Sequence, residues 1–145
     1  MRIVLLLSLF LFSLYASPNV AKTLCYYSDY EQALAVAQLE KKPLMLVVVT
    51  SYCPWCRKFE RKTLASKAVA ATIKEEYIAV IVDRNKDAKT FPKRYQTPRI
   101  PTVYFIDSQS EKSYWQSVGY LNKSDFEEAL EDAEKLYDKL DKEKL

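Results

Sequence analysis

The sequence predicts an α/β domain, a central mixed β-sheet flanked by helices, on three observations. Leu44–Thr50 (LMLVVVT) and Tyr77–Asp83 (YIAVIVD) are continuous β-branched runs, the mark of strands buried on both faces. Apolar residues at helical spacing precede, separate and follow them. Thr102–Asp107 (TVYFID) and Tyr114–Gly119, split by a polar turn, read as a hairpin. At 145 residues, 49% apolar and 28% charged, the chain has room for one core.

The elements follow in order. Arg2 precedes a thirteen-residue apolar run, Ile3–Tyr15, which is shorter than the roughly 20 residues needed to span a bilayer. With Ala16 and Ser17 behind it, residues 1–17 read as a signal peptide. Its cleavage point stays open: cuts after Ala16, Ser17 or Ala21 leave Leu14, Tyr15 or Asn19 three positions from the cut. An uncleaved anchor is the alternative, and Leu24 before Cys25 argues against a lipoprotein. The folded domain, residues 23–145, is thus expected in the periplasm or a secreted space, where disulfides persist. Thr23–Tyr27 reads as a short strand. Ser28 and Glu31 form a capping box for a helix to Lys42, with Tyr30, Leu34 and Ala37 on one face. Pro43 stops that helix. Further helices are expected over Cys53–Leu64, with Cys56, Phe59 and Thr63 on one side, and over Lys67–Glu75. Arg84–Ile100 is a polar connection with a short helix. Asn122 or Ser124 caps the last helix, whose Phe126, Leu130, Ala133, Tyr137 and Leu140 align.

Composition removes most enzyme classes. There is no histidine, so no His-based acid–base chemistry or His-ligated metal. A single glycine, Gly119, rules out a Gly-rich phosphate loop. Three cysteines make neither a disulfide scaffold nor a four-thiolate zinc site. A net charge of +3 is too slight to imply nucleic acid. The charge is divided, however: residues 123–145 hold five Lys and nine Asp or Glu, which reads as a solvated helix face.

The chemistry lies in Cys53-Pro54-Trp55-Cys56, where a central strand gives way to a helix. A thiolate attacks a disulfide, and free cysteine, with a pKa of about 8.5, is mostly protonated at neutral pH. Free N–H groups and the positive dipole end at a helix start favour the anion, which makes Cys53 the nucleophile. Pro54 suits the first turn, where its missing N–H costs nothing. Cys56, one turn further in, is the buried resolving thiol. Arg57, Lys58, Arg61 and Lys62 add positive charge that favours a thiolate at Cys53, against a single Glu60. The competing reading of these four is an ordinary solvated face. Cys25 reads as a buried structural thiol, with intermolecular pairing as the lesser alternative.

Three segments resemble the thioredoxin superfamily, over roughly Cys25 to Leu140. They are Ser51-Tyr52-Cys53-Pro54-Trp55-Cys56, then Tyr95-Gln96-Thr97-Pro98-Arg99-Ile100-Pro101-Thr102, then Val118-Gly119-Tyr120-Leu121-Asn122-Lys123. Within the superfamily, Cys56 to Leu64 is most similar to the C-terminal periplasmic domain of the disulfide reductase DsbD and to small secreted thioredoxin-like proteins. The resemblance implies a thioredoxin fold, a cis Pro101 facing the cysteine pair, and Ile100 beside it in a substrate groove rimmed by Tyr52 and Trp55. It also implies disulfide-bonded client proteins and a dithiol electron donor, such as a membrane disulfide reductase, with no cofactor and no metal. The chain departs from thioredoxin at Val47, where a buried Asp is expected, at Arg61, where a kinking proline is expected, and at Tyr52, where Trp is expected. Glu60 and Tyr52 are the candidates left for proton transfer. The function that follows is reduction of protein disulfides. The alternatives are an oxidase or isomerase of folding proteins, or a non-enzymatic client-binding module.

Overall fold

Leu44–Val49, a run with no polar residue, forms β1 and is buried at every position in the computed structural model, which describes residues 20–144. The expected leader lies outside the described residues. β2 (Ile78–Asp83) pairs parallel to β1, and β3 (Thr102–Asp107) antiparallel on its other side. β4 (Lys112–Val118) closes the order β2-β1-β3-β4 by a hairpin with β3. This is the mixed sheet, flanked by helices, that the sequence predicts.

Alternation along β1 divides the core in two. Met45, Val47 and Val49 face the side covered by α3 (Pro54–Phe59), α4 (Lys67–Glu76) and α5 (Lys123–Glu143). Leu44, Leu46 and Val48 face α2 (Tyr30–Glu40), which contributes Tyr30, Ala33, Leu34 and Ala37. Register then sets the geometry that matters for function. Val49 pairs with Asp83 and Val48 with Thr102. The loop after β1, the loop after β2 and the residues just before β3 therefore meet at one end of the sheet.

Several expectations are corrected. Thr23–Tyr27 is not a strand. Val20–Leu24 forms a short helix, α1, ended by a turn in which the Tyr26 N–H donates to Ala21 O. Only Tyr27 reaches the sheet, as an isolated parallel bridge to Val80. Cys25 sits in that turn with φ +59° and is exposed, so it is not a buried structural thiol. Asp29, not Ser28, caps α2: its carboxylate accepts the Gln32 N–H at 2.7 Å. The pair Asp29 and Gln32 satisfies the same capping spacing one residue on. The helix expected over Cys53–Leu64 is broken in register. α3 ends at Phe59, and Glu60–Leu64 is a π-helical turn, with the Ala65 N–H on Glu60 O. Asn122 caps α5, its side chain accepting the Asp125 N–H.

Candidate active site

Cys53 is the N-cap of α3, with extended backbone, and Pro54 occupies the first turn. Its Sγ accepts the Cys56 N–H at 3.1 Å, so a backbone donor at the helix start already points at that sulfur. The two cysteines are disulfide-bonded, with Cα atoms 5.2 Å apart. Cys53 is half-buried, whereas Cys56 is fully buried among Val47, Phe59 and Phe126. Val47 leaves no carboxylate on β1 on this side of the sheet. The buried carboxylate of the region is Glu60, one helical turn beyond Cys56 and 8% exposed. Burial pushes its pKa up, opposed by the nearby Arg57 and Arg61 guanidinium groups. Its spacing of four from Cys56 was the available sequence signal for a place on that buried face.

The Ile100–Pro101 peptide bond is cis. Ile100 packs against the same apolar cluster as Cys53, and Pro101 is buried. The Gly119 N–H donates to Pro101 O at 2.8 Å from a φ of +91°, a conformation glycine adopts freely. Tyr120 beside it stacks at 5.4 Å on Trp55. The three segments singled out in the sequence thus converge here. Tyr52 and Trp55 part company, however. Trp55 joins Tyr120, whereas Tyr52, 87% exposed, lines a cavity of about 740 Å³ on the β2 side with Arg57, Glu60, Asp83 and Lys86.

The four expected cations are all exposed. Arg57 donates from its guanidinium to Ser51 O, and Arg61 Nε donates to Arg57 O at 3.4 Å. Lys58 Nζ lies over the rings of Trp55 and Tyr120, 4.9 and 4.7 Å from their centroids. The Lys62 side chain makes no ion pair or hydrogen bond among the described residues.

Ser51, Asp83 and Arg84 were not singled out as site residues. Asp83 Oδ2 accepts both the N–H and the hydroxyl of Ser51, at 2.8 and 2.6 Å, two residues before Cys53. Its other oxygen accepts the N–H groups of Asn85 and Lys86. Burial works against ionisation of Asp83, yet the Ser51 hydroxyl and these N–H groups outweigh it and hold its pKa below the usual carboxylate value. Arg84 donates its N–H to Val49 O, and its guanidinium to Thr97 O and Pro98 O, both at 2.9 Å. One dipeptide at the end of β2 therefore holds the loop before Cys53 and the loop before Pro101.

The profile of a thioredoxin-like domain matches residues 30–134. Thiol:disulfide interchange protein DsbD of Vibrio vulnificus is 28% identical over 107 residues, covering 71% of this chain and 18% of that protein. Spermatogenesis-associated protein 20 of Rattus norvegicus is 26% identical over 101 residues, 68% of this chain and 12% of its own length. The chain thus matches less than a fifth of these relatives. A thioredoxin from Thermus thermophilus shares the fold, with TM-score 0.66 and 20% identity over 74% of this chain and 85% of that one. The oxidised C-terminal domain of DsbD from Neisseria meningitidis does so with TM-score 0.59 and 20% identity, over 74% of this chain and 98% of its own. Since the profile spans well over half of the chain, the protein belongs to the thioredoxin-like domain family.

Proposed function

We propose that the protein is a secreted thiol–disulfide oxidoreductase that reduces protein disulfides through Cys53 and Cys56. The carrying observation is the asymmetry of the pair: Cys53 caps a helix and meets solvent, while Cys56 lies one turn inside and buried. The dithiol form supplies the electrons. The Cys53 thiolate attacks one sulfur of a client disulfide, forming a mixed disulfide and expelling a client thiolate. Cys56 then gives its proton to Glu60 and attacks Cys53 Sγ, which closes the Cys53–Cys56 bond and frees the second client thiolate. A partner dithiol restores the pair, and no other cofactor enters this balance. Ile100 and Pro101 line the client groove, with Trp55 as its rim. Tyr52, the other rim residue, also lines the cavity beside Arg57 and Glu60.

Secretion rests on the Arg2 and Ile3–Tyr15 pattern, and periplasmic placement on the same leader. Among the described residues no helix is long and apolar enough to cross a membrane. Equilibration against a thiol buffer tests the direction of flow. A reductase gives a potential near the thioredoxin value of about −270 mV, and a value near about −120 mV would make the protein an oxidase instead. Insulin reduction driven by dithiothreitol tests the enzyme class: no acceleration over dithiothreitol alone leaves only a client-binding module.

A further inference from the structure

The segments that carry the disulfide and the cis proline bear exposed cations that form no ion pair among the described residues. Lys58, Arg61 and Lys62 on α3 and the π turn, and Arg99 just before Ile100, are exposed. Among the described residues none of them lies within ion-pair distance of an acid. The acids close to them in the fold are engaged or buried. Glu60 is inside, where the Arg57 and Arg61 charges offset part of the effect of burial, Asp83 holds Ser51 and its own loop, and Asp87 accepts the Asp83 N–H at 2.7 Å. On α5 the arrangement is the reverse, with Lys123 paired to Glu127 and Lys135 to Glu131 and Asp132. Apolar surface lies beside one of them, Lys58. Trp55 is 56% exposed, and the Lys58 ammonium is held over its ring and that of Tyr120. A cation held over two rings loses mobility and part of its hydration but keeps its charge and its donors.

We propose that this surface selects client proteins whose disulfide is flanked by Asp or Glu. The carboxylates settle on Lys58, Arg61 and Arg99, and an apolar neighbour of the client cysteine lies on Trp55. The inference rests on the reductase reading above and adds its substrate class. Bond changes are those already given: one client S–S bond breaks, the Cys53–Cys56 bond forms, and two electrons pass to the client. Exposed charges of one sign act mainly on encounter, so the selection appears in the second-order rate constant and fades with salt.

The test uses three peptides, each closed by one disulfide and identical except for Asp, Ser or Lys on both sides of each cysteine. Protein reduced with dithiothreitol and freed of excess is mixed with each peptide, and the rate is divided by that of dithiothreitol alone on the same peptide. This removes the intrinsic reactivity of the peptide. At low salt the Asp peptide should react roughly tenfold faster than the Lys peptide, with Ser between them. In 1 M salt, where the Debye length is about 3 Å, the ratio should approach one. A Lys58→Glu/Arg61→Glu double variant should favour the Lys peptide. Equal low-salt rates for Asp and Lys, with Ser reduced normally, would overturn the charge selection and leave the reductase reading intact. An unchanged preference in the double variant would overturn it as well. Failure to reduce any of the three would instead remove the reductase reading.

Discussion

Cys53 caps α3 while Cys56 lies inside its first turn, so the same chemical group meets two environments 5.2 Å apart. In reduced protein, Cys53 should alkylate with iodoacetamide well before Cys56, and with a midpoint below the free-thiol pKa of about 8.5. Faster labelling at Cys56 would exchange the two roles. Glu60 supplies the second residue-level prediction. Its carboxyl pKa is raised in the folded chain by burial, so the ionised form counts against the fold. That penalty is full above the folded value and absent below the unfolded value near pH 4.3. Glu60→Gln should therefore be at least as stable as wild type at pH 8, with the gap closing as the pH falls toward 4. The same variant should slow release from the mixed disulfide by roughly a hundredfold, the lower range for a positioned acid–base group. A rate unchanged from wild type would take Glu60 out of the proton path.

Arg84 links elements rather than atoms of the reaction. Its guanidinium spans from the end of β2 to Thr97 O and Pro98 O, while the neighbouring Asp83 holds Ser51. Arg84→Ala should cost about 1–2 kcal/mol in urea unfolding, the scale of two charge-assisted bonds on a half-buried side chain. It should also raise the KM for a protein disulfide several-fold while leaving the reaction of Cys53 with dithiothreitol unchanged, and Arg84→Lys should restore part of the loss. If both reactions slowed equally, the loop tie would be only structural. None of this tie was legible in the sequence. Its partners lie thirteen to thirty-two residues away, and side-chain bonds across such gaps leave no periodicity. β1, β2 and α5 were legible because apolar spacing alone specifies them. Thr23–Tyr27 misleads because Thr23 and four apolar or aromatic residues with no clear period suit a helical turn as well as a strand. At Arg61 the missing proline was visible, but not its replacement by a π turn starting at Glu60.

At the scale of the molecule, β3 separates the site from an electrostatic clasp. Pro101 precedes one end of the strand and Asp107 closes the other, six residues and about 20 Å away. Asp107 is 3% exposed, yet its carboxylate accepts the Ser110 N–H and hydroxyl and pairs with Lys144 just past α5, at 2.9 Å. Burial alone would raise its pKa; Ser110 and Lys144 outweigh that and leave it lowered. The long acidic helix is thus fixed at both ends, by the Asn122 cap near Tyr120 and by Lys144 against the hairpin turn. A carboxyl pKa lowered by folding adds stability above its unfolded value, near pH 3.9, and loses it as pH falls through the folded value. Lys144→Ala should therefore cost about 1 kcal/mol at pH 7, the upper range for a pair whose cation is exposed, and less at pH 2, on the acid side of the unfolded value. Because the clasp lies a full strand length from Cys53, the disulfide-exchange rate should not change. Urea unfolding at the two pH values, with peptide reduction measured in parallel, checks both halves. An equal loss at pH 7 and pH 2 would show that Lys144 acts through packing against Tyr137 and not through its charge.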